Sequence, residues 1–346
     1  GERGRTALIS ISKSATASGD YPFAIRLLER ALTTLRESGA ESAEAVPGLR
    51  REAEVLDRLA LACHLEGDYV KAVDCYRQYA GVLAELIEED PAAIGGLRRN
   101  LLRGHRNLAV NLYLAVQEGQ VEPEELAAAY YLLREAIDRL DAIGIVAWEE
   151  GERPGLITID VEVALGEGKG AAEFDVNSEK RLLYTYMARI SAAAGDYGEA
   201  VRYLRTKVDL YPEEADEAAR SEVLIERAVV WSQIGAYHLA GGRDAWAVAA
   251  YRQALECEAE AASLEGEAAA TVSLGRAVLC MADQPSPPGA VDGLLKETIE
   301  THRELLQRIR RQEAEHLAPL EAALHVNLTA LLDLGAPPAR VTNESP

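Results

Sequence analysis

The stretch Ala194-Gly195-Asp196-Tyr197, followed by Ala200, Leu204, Lys207 and Pro212, decides the fold of this 346-residue chain. Glycine at such a point takes the left-handed backbone that ends one helix, and the Asp after it can cap the next. Ala200 lets two helix backbones approach, and Leu204, four residues on, fills the space beside it. The same spelling occurs three more times. Ala17-Ser18-Gly19-Asp20-Tyr21 leads to Ala24, Leu28 and Ala31; Leu65-Glu66-Gly67-Asp68-Tyr69 leads to Ala72, Tyr76 and Tyr79. Gly241-Gly242-Arg243-Asp244 leads to Ala247, Tyr251 and Ala254. The preceding helices repeat as well. Leu56, Leu59 and Ala60 stand before Gly67 at the offsets of Tyr184, Met187 and Ala188 before Gly195, and of Trp231, Ile234 and Gly235 before Gly242. Units recurring in this way predict stacked pairs of antiparallel helices.

Composition agrees. Apolar residues make up 48% of the chain, mostly Ala, Leu and Val, and aromatics only 5%, which suits closely packed helices better than a β-sandwich. A third pair is read over Leu97–Glu118 and Pro123–Ile143, with the turn between them lengthened through Gly119. A sixth is read over Gly266–Ala282 and Gly289–Arg311, and Glu313–Leu334 is a terminal helix covering the last repeat. The polar tail Pro337–Pro346 is expected to be loose.

Large residue, Leu or Ile with a small neighbour, Gly-Asp-Tyr, Ala, Tyr, Ala and a closing Pro: this order resembles the tetratricopeptide repeat. The unit with Trp231, Ile234, Gly235, Ala247, Tyr251 and Ala254 and the one closing at Pro212 carry the resemblance most fully. Gly19 and Gly67 are 48 residues apart and Gly195 and Gly242 are 47, against a usual period of ~34, so the units are extended. Extended repeats of this kind are similar to those of kinesin light chains and bacterial regulatory proteins. The resemblance implies an all-α, right-handed superhelical solenoid of about six pairs plus a capping helix. The expected domains are 1–150 and 179–336, both helical, with an insertion at 151–178 and the tail at 337–346.

The insertion breaks the helical pattern. Ile157, Ile159, Val161 and Val163 alternate with polar residues, and Ala172, Phe174 and Val176 alternate again after Gly166-Glu167-Gly168-Lys169-Gly170. That period of two predicts a β-hairpin with a glycine-rich tip. The tip lacks the Gly-x-x-x-x-Gly-Lys-Ser/Thr spacing of a phosphate loop, so it reads as a turn. A two-stranded hairpin is marginal alone, and its apolar face, with Ile157, Ile159, Val161 and Phe174, must pack on helices or on a partner.

Fifty-seven acidic against thirty-six basic side chains leave a formal charge of −21, which argues against nucleic-acid binding and against docking on anionic membranes. No apolar run is long enough to span a bilayer, and the N-terminus has no signal-peptide pattern. It also lacks an initiator Met, which points to processing or to excision from a longer protein. Cys63, Cys75, Cys257 and Cys280 match no zinc framework and read as buried free thiols, as expected in a reducing cytoplasm. No histidine pair has metal-ligand spacing, no nucleophile elbow occurs, and no cofactor or metal is expected.

In the resembled family the first helix of each pair lines a concave groove. Counting back from each turn places Lys13, Arg58, His64, Tyr186, Arg189, Ser232 and Gln233 there, with Arg103, Arg106 and Asn107 from the irregular third unit. The expected surface is a basic stripe of Lys13, Arg58, Arg103, Arg106 and Arg189, suited to carboxylates and extended peptides. Arg58 stands where the chaperone-tail clamp expects Asn, which argues against that ligand. The reading is a cytoplasmic, non-catalytic scaffold that binds a protein or peptide. Its rivals are a ligand-responsive regulatory module, as in bacteria, and, further off, a helical-barrel enzyme.

Overall fold

The computed structural model describes residues 2–39, 45–89, 94–149, 156–159, 172–212, 217–283, 291–312 and 314–335. They fall into two compact units, Gly1–Ile190 and Ser191–Pro346.

The first unit begins with α1 (Glu2–Ala17) and α2 (Tyr21–Gly39), α3 (Ala45–Glu66) and α4 (Tyr69–Glu89), α5 (Ile94–Gln117) and α6 (Leu126–Glu149). A 3-10 turn at Pro123–Glu125 leads into α6. From α1 to α6, successive helices pack on one another. Strands β1 (Leu156–Ile159) and β2 (Ala172–Asp175) then pair antiparallel, Leu156 opposite Asp175 and Ile159 opposite Ala172, before α7 (Val176–Ala193) begins. The second unit continues with α8 (Tyr197–Asp209), α9 (Glu217–Ala240), α10 (Asp244–Glu260), α11 (Leu264–Ala282), α12 (Asp292–Arg311) and α13 (Ala318–Gly335). Here too neighbours in sequence pack together, and α13 closes the end by covering both α11 and α12.

The turns explain the pairing. At Gly195, φ is +81°, its N–H donates to the Ala192 carbonyl, and the Asp196 N–H donates back to Ser191. These two bonds satisfy carbonyls that the end of α7 leaves open. The Asp196 carboxylate accepts from the Glu199 N–H at 2.9 Å and so starts α8. Gly19, Gly67, Gly119 and Gly242 repeat the backbone arrangement, while Asp20 and Asp68 repeat the cap. Arg243 replaces the capping Asp before α10 and makes no side-chain cap. Packing follows the sequence pattern: Ala24, Ala72, Ala200 and Ala247 are completely enclosed, and Leu28, Tyr76, Leu204 and Tyr251 are buried beside them.

Three expectations need correction. A hairpin over the whole of 151–178 is not what this span shows. Pairing covers four residues on each side, 160–171 with Val161 and the glycine-rich tip lie outside the described residues, and 176–178 are helical. Val176 completes the alternating pattern, yet it is the first residue of α7, where a buried first-turn side chain mimics strand periodicity. The cysteines are not uniformly buried: Cys63 and Cys75 are, Cys257 is half-buried and Cys280 is exposed, because α11 turns that position to solvent. A sixth turn, between α10 and α11, uses no glycine at all. Ala262 takes φ +57° there, and Ser263 caps α11 by accepting from the Gly266 N–H. Among the described residues no helix is long and apolar enough to cross a membrane.

Candidate functional site

On the first helices of the pairs in the first unit, several of the side chains expected in a groove make polar contacts. Lys13, exposed on α1, borders a cleft of about 350 Å³ whose other wall includes Arg51 and Glu54 of α3. Glu54 pairs with Arg58 one turn along, at 3.0 Å. Asp57, next to Arg58 in sequence, receives Arg103 from α5 at 2.8 Å, and the same guanidinium donates to the Tyr79 hydroxyl at 3.3 Å. Arg106, one turn further along α5, reaches Glu179 of α7 at 2.7 Å and also donates to the Asn107 side chain at 3.3 Å. The side chains of that last pair are 17% and 27% exposed, so both charges are largely withdrawn from solvent.

His64, near the end of α3, contacts the Asn111 side chain at 2.9 Å, and Asn111 donates back to the Asn107 carbonyl. On α7 the Arg189 guanidinium lies 5.4 Å from the centre of the Tyr186 ring, with Arg189 exposed. Thus Arg58 is paired within α3, Arg103 ties α5 to α3, Arg106 ties α5 to α7, and His64 reaches α5 through Asn111, while Lys13 only borders the cleft beside Glu54. Ser232 and Gln233 are half-buried on α9 of the other unit. Ile157, Ile159 and Phe174 belong to the strand pair, and Val161 lies outside the described residues.

Of the basic stripe expected from the sequence, Arg58, Arg103 and Arg106 form a ladder of ion pairs. Glu54, Asp57 and Glu179 supply the negative rungs, and sequence counting missed all three. Glu54 lies four residues before Arg58 and was legible as a helical pair. Asp57–Arg103 and Arg106–Glu179 join residues 46 and 73 positions apart, which no local pattern reveals.

Burial sets the electrostatics. It raises the Asp57 carboxyl above the ordinary carboxylate value, and Arg103 and then Arg58 pull it only part of the way back. Burial also opposes the charge on Arg103, but Asp57 and the Tyr79 hydroxyl outweigh it and hold the guanidinium protonated more firmly than usual. The Tyr76 and Tyr79 hydroxyls beneath are pushed up by burial and by Asp57. These tyrosines are hydrogen-bonding walls for a charged line, with no tendency to ionise near neutral pH. Among the described residues no group of His, Cys, Asp and Glu is arranged to hold a metal ion.

Behind the ladder, close approach of helices is made by small residues against rings. A Cβ on Gly104 of α5 would stand 3.0 Å from the Tyr79 ring of α4, and one on Gly235 of α9 would stand 2.8 Å from the Tyr251 ring of α10. With the glycine-ended turns, this is the packing that the repeated spelling implied. The helix pairs are tetratricopeptide-like.

No family model and no curated protein matches the chain. Among solved structures it is similar to BtubC (BKLC) from P. vanneervenii, at 15% identity over 85% of this chain and 91% of that one, with a TM-score of 0.45. A putative kinesin light chain with TPR-like repeats from Podosopora anserina matches at 17% identity over 74% of this chain and 94% of that one, TM-score 0.42. The apo form of RapI matches at 8% identity over 95% of this chain and 97% of that one, TM-score 0.44.

Proposed function

We propose that the chain is a non-catalytic scaffold that binds a protein or peptide segment along the first helices of its tetratricopeptide-like pairs. Lys13, Arg58, His64, Arg103, Arg106, Asn107, Tyr186 and Arg189 are the contact residues in the first unit, and Gln233 holds the corresponding position in the second. The carrying observation is the ladder itself: guanidinium groups on α3 and α5 held in place by carboxylates while keeping part of their surface open. A guanidinium fixed by one carboxylate retains N–H donors for a second carboxylate or a peptide carbonyl, and it loses little side-chain freedom on binding. The charge of −21 supports a protein partner over nucleic acid or an anionic membrane. The four free thiols suit action in the cytoplasm.

A second reading, control of an attached effector domain or protein, is favoured by where the rungs run. Asp57–Arg103 ties α3 to α5, and Arg106–Glu179 ties α5 to α7. A partner carboxylate that drew Arg103 or Arg106 away would untie neighbouring helix pairs, so binding and helix spacing would be coupled. The strand pair offers another contact: Ile157, Ile159, Val161 and Phe174 would meet a partner through strand addition or an apolar face.

The test is affinity capture from the source cells followed by mass spectrometry. The bait is the wild type or Arg103→Glu, Arg106→Glu and Arg189→Glu combined, with helicity checked for each. Loss of a partner in the triple variant supports the ladder. Retained capture that disappears when 156–176 is replaced by a short linker moves the contact to the strands. Scattering curves that stay the same when the partner is added count against the regulatory reading.

A further inference from the structure

The second unit carries a cluster that the ladder does not use. Trp246, in the first turn of α10, is 58% exposed, an unusual cost for the largest side chain. Its ring stacks on His238 of α9, centroids 6.0 Å apart with 29° between planes. The Arg205 guanidinium of α8 lies 5.8 Å from the indole centre. Arg243, at the start of α10, folds back over the end of α9, where a Cβ on Gly241 would meet its guanidinium at 3.3 Å. Tyr197 of α8 and Tyr237 of α9 form a ring pair alongside, 6.3 Å between centroids.

Charge and burial single this cluster out. Neither Arg205 nor Arg243 has a carboxylate partner among the described residues, although the chain bears 57 acidic side chains. Asp196, the cap of α8, accepts from the Glu199 N–H, and Asp244 follows Arg243 in sequence and is buried. His238 is 4% exposed, and neither ring nitrogen has a hydrogen-bond partner among the described residues. Burial, then Arg243, then Arg205 push its pKa down to about 4, so the imidazole is neutral at pH 7 and adds no charge beside the two guanidinium groups. Two arginines without an ion-pair partner among the described residues, beside an exposed tryptophan, have the chemistry of a binding hot spot for an anion attached to apolar surface.

We infer that Trp246, Arg205 and Arg243 form a docking site for an acidic peptide segment of a partner protein, its carboxylates on the two guanidinium groups and an adjoining apolar side chain against the indole. Every residue involved lies in the second unit, so the inference stands independently of the ladder on the first. A segment bound there lifts the penalty on His238, because carboxylates on Arg205 and Arg243 cancel the charges that oppose its protonation.

The probe is the ten-residue peptide (Glu-Tyr)5, with (Gln-Tyr)5 as its uncharged counterpart, added to the intact protein and followed by fluorescence excited at the red edge of tryptophan absorption. Binding of (Glu-Tyr)5 is expected to be at least about tenfold tighter than binding of (Gln-Tyr)5 and to weaken steeply with salt. Arg205→Gln with Arg243→Gln, both near the surface and outside the core, is expected to weaken it by about tenfold or more, as is Trp246→Ala. Trp246→Phe, which keeps a ring over His238, guards against loss of folding in the alanine variant. The His238 ring resonances are expected to titrate about one pH unit higher in the complex. Absence of (Glu-Tyr)5 binding at about 1 mM overturns the inference, as does equal affinity for (Gln-Tyr)5. So do variant affinities within about twofold of wild type, or a His238 titration that the peptide leaves unmoved.

Discussion

Gly235→Ala puts the close approach of α9 and α10 to a direct test. Gly235 has no conformational need to be glycine, since it lies inside a helix, and there alanine ordinarily stabilises by about 0.5–1 kcal/mol. The added methyl would stand 2.8 Å from Cε1 and Cζ of Tyr251 and 2.9 Å from Cδ1. Carbon atoms in contact need about 3.5 Å or more, so the ring or the helix has to give by more than half an ångström. Tyr251 is 5% exposed and packed in a cluster with Ala247, Val248, Leu274, Ala277, Val278, Leu295 and Leu331, which leaves it little room. Overpacking of this kind costs about 1–3 kcal/mol, so the net loss is expected near 1–2 kcal/mol. Hydrogen exchange of the α9 and α10 amides would then speed up by about five- to thirtyfold, and the denaturant midpoint of the second unit would fall. In a Tyr251→Leu background the ring is gone, and the same Gly235→Ala change should become neutral or stabilising. Stabilisation by Gly235→Ala in the wild type, or an undiminished cost of that change in the Tyr251→Leu background, would refute the packing argument.

Three further outcomes follow from named contacts. His238 has an ordinary pKa of 6.5 when unfolded and about 4 in the fold, so folding excludes a proton between those values. Stability from this residue is full above pH 6.5 and falls as pH drops to about 4, by about 3 kcal/mol in all; unfolding midpoints against pH should show the slope in the wild type and lose that part in His238→Phe. Ala262→Gly should raise stability by about 0.5–1 kcal/mol in denaturant titration, because Ala262 holds a left-handed backbone at φ +57° that costs L-residues and glycine does not resist. Asp196→Ala should remove the cap of α8 and lower stability by about 1 kcal/mol, seen as faster exchange at the Glu199 amide, whereas Asp196→Asn should retain most of it.

What the sequence made legible was whatever is decided within a few residues. Gly19, Gly67, Gly195 and Gly242 marked turns because left-handed backbone and glycine go together, and the alanines five residues on marked the close contacts. Ala262 occupies the same backbone without the glycine, and that turn passed unnoticed. Val176 misled for a related reason, since burial of every second residue over a short stretch looks alike in a strand and at the start of a helix. At the site, the arginines could be placed on a helix face by counting, but Asp57 and Glu179 arrive from other helices. Their neutralising effect therefore needed coordinates. The Trp246 cluster was invisible for the same cause: Arg205, His238 and Arg243 come together from three helix ends.

Because the helices of each unit rest mainly on those just before and after them, every pair can cover its apolar flank as soon as the next has been synthesised. Contacts between neighbouring helices keep the sequence separations short, which favours fast folding as the chain leaves the ribosome.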